Sequence, residues 1–121
     1  MNYVLDQKGA NMNNQRRKEL SRIAAEMSTA TIDDLESIRS DIEMVLMDEE
    51  MAFENMPEGI QMSYRGEMSE EAQSNMDDAI SQIDEFVDEY GDGSEATEEE
   101  KESALQELID NVTDALTMAA E

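Results

Sequence analysis

Apolar residues recur at three- and four-residue intervals along nearly the whole chain, with polar residues between them. Leu20, Ile23, Ala24 and Met27 open the pattern. Leu35, Ile38, Ile42, Val45, Ala52 and Met56 continue it, interrupted by Glu49 and widened by Leu46 and Phe53. Ala72, Met76, Ala79, Ile83, Phe86 and Tyr90 repeat it at 4-3-4-3-4 spacing. Leu105, Leu108, Val112, Ala115 and Ala119 carry it to the end, with Ile109 and Leu116 alongside. This is the period of a helix that buries one face, and no stretch alternates as a strand would. It predicts three helices, at about 13–55, 67–90 and 98–119.

The breaks in the pattern carry their own signals. Residues 28–31 shift its phase, and Thr31 followed by Asp34 resembles a capping box with Asp in place of Glu, which marks either a kink or a true break. Asn55, Met56 and Pro57 end the first helix, because a residue before proline avoids the α region. Pro57 suits the first position of a short helical turn, which Gly66 would close. Gly91, Asp92 and Gly93 stop the second helix, and Thr97 with Glu100 forms a capping box for the third. The fold class is therefore all-α: an antiparallel, coiled-coil-like helical hairpin with a third C-terminal helix over its open side. Residues 13–121 read as a single helical domain and residues 1–12 as a flexible N-terminal arm. Small apolar residues make a thin core, so a homodimer through a shared seam is expected.

Composition narrows the chemistry. The 121 residues include 32 acidic and 8 basic side chains, a net charge of −24, and neither His, Cys nor Trp. Without cysteine there is no thiol nucleophile, disulfide or thiolate metal site. Without histidine the commonest general base and most transition-metal ligands are missing. No catalytic residues, metal or cofactor are expected. The charge repels phosphate backbones and anionic lipid, which excludes direct nucleic-acid binding and membrane association as expectations. No run of about 18 apolar residues could span a bilayer, and the polar start lacks a signal-peptide apolar core. A cytoplasmic protein with a basic partner is expected. Arg16, Arg17, Lys18 and Arg22 are half of the basic residues. They form either a small anion site or a counter-charge to the carboxylates.

Those carboxylates run in register. Asp34, Asp41 and Asp48 repeat every seven residues, as do Glu36, Glu43 and Glu50; the pairs Glu70-Glu71, Asp77-Asp78 and Asp84-Glu85 do the same. Heptad repetition aligns each set as a rail on its helix. The nine acids from Glu67 to Glu89 cover roughly 35 Å of helix. Their density, one charge per about 4 Å, is close to the roughly 3.4 Å spacing of phosphates on a DNA strand. Two readings follow: a phosphate-like surface for a basic protein, or a solvated face whose charge serves solubility or salt adaptation.

Eleven methionines are unusual in a chain of this length. Met27, Met56 and Met76 lie on the apolar stripes, whereas Met44, Met47 and Met51 lie off the main seam and suit an oligomer interface or an adaptable partner surface. Residues 88–99 place Asp88, Asp92, Gly93 and Glu99 as in a calcium loop, but Tyr90 and Ala96 stand where two oxygen ligands belong. A plain interhelical turn is the better reading.

Arg16-Arg17-Lys18-Glu19-Leu20, the run from Asp48 to Glu58 through Asn55-Met56-Pro57, and Gln61, Ser63 and Arg65-Gly66-Glu67 resemble small acidic helical-hairpin proteins of bacteriophages and mobile elements. The resemblance covers about residues 13–90 and leaves out the third helix. It implies an origin, and by analogy of size and charge a DNA mimic that blocks a host defence nuclease, of the anti-CRISPR or anti-restriction type. The expected function is thus a non-enzymatic acidic inhibitor. The alternative is an oligomeric helical structural or adaptor protein.

Overall fold

The computed structural model describes residues 14–91 and 93–120, and the expected arm at 1–12 lies outside them. The described chain forms helices α1 (Asn14–Met27), α2 (Leu35–Glu54), α3 (Glu58–Gln61), α4 (Tyr64–Tyr90) and α5 (Glu98–Ala119), with a 3-10 turn at Ile32–Asp34 and no strand.

The helix expected over 13–55 is two helices. At the end of α1 the bonding tightens to three-residue spacing, Thr29 N–H to the Glu26 carbonyl at 3.3 Å and Ala30 N–H to that of Met27 at 3.1 Å. Thr31 is then extended, with φ −104° and ψ 172°. The Asp34 carboxylate accepts from the Thr31 N–H at 3.0 Å and from its hydroxyl at 3.1 Å. Buried Ala30 anchors the bend in the core. The phase shift is therefore a reversal of direction, which lets α1 return along α2.

The second turn differs in detail from its expectation. Pro57, at φ −57° and ψ 148°, flanks α3 as its N-cap. Gly66 does not close the turn; it is the third residue of α4, and a Cβ there would come within 1.8 Å of the Gln61 carbonyl oxygen. That close approach draws α3 onto the start of α4, and the Gln61 amide holds α3 to α2 by donating to the Phe53 carbonyl at 2.9 Å. At the third turn Gly93 takes φ 84°, a left-handed value that glycine adopts without strain. Thr97 and Glu100 form the expected reciprocal cap, at 2.9 and 3.1 Å.

The four long helices pack in a ring: α1 on α2, α2 on α4, α4 on α5, and α5 back on α1. Antiparallel order shows in the cross-links, since Arg16 meets Glu49 while Arg22 approaches Asp41. Where three helices were expected the described residues form four long ones, and the side of the α2/α4 pair that faces the core is covered by α1 and α5 together. Their stripes join in one core, with Leu20, Ile23, Met27, Leu35, Ile42, Met76, Ile83 and Leu116 all fully buried. Burying such side chains is worth roughly 1.5–3 kcal/mol each. Of the three methionines on the stripes, Met27 and Met76 are fully buried and Met56 is half-buried.

Candidate binding surface

Each rail residue takes its position from the helix that carries it. On α2, successive positions turn by about 100°, so the two heptad sets fall on opposite flanks of the outward face. Asp41 and Asp48 lie on the α1 side, where they line a groove with Gln15, Arg16, Glu19, Met44 and Val45. Asp41 is half-buried, 3.7 Å from Arg22. Glu36, Glu43 and Glu50 lie on the α4 side and are exposed. Glu36 shares a groove there with Arg39, Ser40, Ile83, Asp84 and Val87. Asp34 is absorbed by its bond to Thr31 at the head of α2.

On α4, Glu70, Asp77 and Asp84 form the rail toward α2, and Glu71, Asp78 and Glu85 the rail toward α5. All six are exposed. Glu85 borders a groove with Phe86, Tyr90, Glu107 and Leu108, and Asp78 accepts from the Gln82 amide at 2.9 Å. The twelve rail residues therefore do not form one surface. The structure brings together Glu36, Glu43 and Glu50 of α2 with Glu70, Asp77 and Asp84 of α4, on the two sides of one seam. It sets the others along the α1 and α5 seams or at a cap, because adjacent acids on α4 diverge by about 100° and the two α2 sets, two positions apart, by about 200°.

Arg39 spans the central seam. Its Nε and Nη2 donate to the two Asp84 oxygens at 2.6 and 3.1 Å, and its Nη1 to Glu43 at 3.3 Å. The Asp84 hydrogen bond raises the pKa of Arg39 despite some desolvation, so the guanidinium stays charged. Arg22 works likewise on α1, bonding Glu26 at 2.6 Å and Glu19 at 3.2 and 3.3 Å. Its hydrogen bond and charge hold Glu19 below the ordinary carboxylate value. Of the two readings of the basic cluster, Arg16 and Arg22 follow the second, set against carboxylates of α1 and α2.

One polar cluster was not evident from the pattern of residues. Glu49, the interruption in the α2 stripe, is fully buried. Arg16 of α1 donates to its Oε1 at 2.8 Å, the Ser69 hydroxyl of α4 donates to its Oε2, and the Gln73 amide donates to Ser69 at 3.3 Å. A lone carboxylate on a 3-4 apolar stripe was the available signal, since burial demands partners. Nothing local pointed to Arg16 or Ser69 as those partners.

Met44, Met47 and Met51 are 67, 55 and 61% exposed on the outward side of α2, and α5 does not cover them. In the loop compared with a calcium site, Tyr90 packs on Phe86 with ring centroids 5.0 Å apart, and Asp92 lies outside the described residues. Among the described residues no group of three or more acidic side chains is placed to hold a metal ion. No helix of the described chain is long and apolar enough to cross a membrane. No protein-family model, curated protein or solved structure matches this chain.

Proposed function

We propose that this is a non-enzymatic binding protein that occupies the nucleic-acid-binding surface of a basic partner, with carboxylates standing where phosphates would. The observation that carries this reading is the central seam. Two packed helices carry rails Glu36, Glu43, Glu50 and Glu70, Asp77, Asp84 along its two sides, with Arg39 tying Glu43 to Asp84. Packed helix axes lie about 8–10 Å apart, so in this reading the α2/α4 hairpin works as a double line of negative charge. A surface that binds DNA by displacing counterions meets the same field here. The resemblance to phage proteins suggests a host defence nuclease as the partner and the host cytoplasm as the place of action.

The test is affinity capture from bacterial lysate, with elution by salt and, separately, by duplex DNA. The reading expects a nucleic-acid-binding enzyme released by both. A variant carrying Glu43→Lys, Glu50→Lys, Glu70→Lys and Asp77→Lys should capture none of it while keeping its helical circular dichroism. Capture that survives these four reversals refutes the proposal.

A further inference from the structure

Among the described residues nothing covers the outward face of α2. α1 and α4 pack on its flanks and α5 lies across the ring, so no described element reaches it. Met44, Met47 and Met51 stand there at 3-4 spacing, a ridge of roughly 10 Å, each more than half exposed. Single exposed apolar side chains are ordinary, whereas three on one ridge rimmed by charge mark an interaction site. The rims are acidic on both sides: Asp41 and Asp48 toward α1, Glu43 and Glu50 toward α4. The first rim is also the wall of a groove of about 340 Å³, lined by Glu19, Asp41, Met44 and Asp48 and by Arg16, which is turned to Glu49. Asp48 and Glu50 make no ion pair among the described residues.

We propose that this ridge is the seat of a basic amphipathic helix belonging to a partner protein. Its apolar stripe would lie on Met44, Met47 and Met51, and its flanking Lys and Arg on the two rims. A helix fits because its own apolar positions recur at the pitch of the ridge. Methionine fits because an unbranched, polarizable chain adapts to different apolar shapes. A second copy of this chain fits poorly. Two such faces laid together set acid rim against acid rim, and the guanidiniums around the ridge, Arg16, Arg22 and Arg39, are already engaged with Glu49, Glu19, Glu26, Asp41, Glu43 and Asp84. The inference shares with the proposed function the premise that the partner is basic. It adds the shape of the element that docks.

Two synthetic peptides of about 18 residues, long enough for a stable helix, test it against the full chain. One has leucines at 3-4 spacing among lysines; the other has the same composition scrambled. By calorimetry at about 0.15 M salt, the amphipathic peptide is expected to bind at least about tenfold more tightly, as apolar anchors usually contribute. Replacing Met44, Met47 and Met51 together by Gln, which leaves the charge unchanged, should remove that advantage and leave scrambled-peptide binding as it was. Equal binding of the two peptides overturns the proposal, as does an advantage that survives the triple replacement. A dimer in sedimentation that the Gln variant dissociates also overturns it, by giving the ridge to a second copy. Glu70→Lys with Asp77→Lys, on α4, separates the two proposals. It should leave the peptide advantage intact while abolishing duplex-competed capture.

Discussion

Glu49 occupies an α2 position where an aliphatic residue would continue the stripe, and its carboxylate survives burial because two other helices supply its donors. Removing the carboxylate takes the acceptor from the buried Ser69 hydroxyl and one from Arg16, which costs more than those bonds contribute. Glu49→Ala is accordingly expected to destabilise the protein by about 3–5 kcal/mol in urea denaturation. Arg16→Met with Glu49→Leu should recover most of that loss, since Ser69 can turn its hydroxyl to a carbonyl of its own helix. A double variant as unstable as Glu49→Ala would show that the charged pair itself is stabilising. The carboxylate of Glu100 behaves differently, being exposed. The Thr97 backbone N–H bonds it and holds its pKa below the ordinary 4.5. A depressed carboxylate stabilises fully above its unfolded value, and that contribution is lost as the pH falls through the lowered folded value. Thermal melts of Glu100→Gln should therefore show a weaker dependence on pH below about 4.5 than the parent protein.

At the scale of elements, the turns are where sequence and structure part. The all-helical class, the end of the first long stripe before Pro57, and the span of α5 with its Thr97 cap were legible because each rests on neighbours in sequence. Thr97→Ala should cost about 1 kcal/mol by loss of that cap, measured by thermal unfolding. The reversal at residues 28–31 was half legible: Thr31 and Asp34 announced a cap, but burial of Ala30, which fixes the bend, depends on the distant core. Gly66 was misplaced because its reason is a backbone approach from Gln61 that periodicity cannot show. Gly66→Ala should cost about 2–3 kcal/mol, because the added methyl meets backbone and not a side chain that could move aside. The rails were legible one helix at a time. Which of them would face one another was not, because that depends on how α2 and α4 are paired and rotated. Arg39 reaching Asp84 is the same case, a contact across 45 positions of sequence.

For the whole molecule the balance of charge is the dominant fact. With 32 acids against 8 bases, self-repulsion at pH 7 opposes the compact state. Added salt screens exposed charges beyond a Debye length, about 10 Å at 0.1 M. The melting temperature is therefore expected to rise by several degrees between low salt and about 0.5 M, where a protein held mainly by surface ion pairs would lose stability. The four-lysine rail variant should melt higher than its parent, so any binding it loses is not the result of unfolding. The buried Glu49 cluster has a further consequence at this scale. Apolar residues that recur every three or four positions along each helix would still face apolar residues after a slip of one turn, so the stripes alone leave the register open. A slide of about 5.4 Å would strand Glu49 away from Arg16 and Ser69. The cluster therefore acts as an indexing pin for α1, α2 and α4, and the spacing of charge across the central seam inherits its precision from that pin.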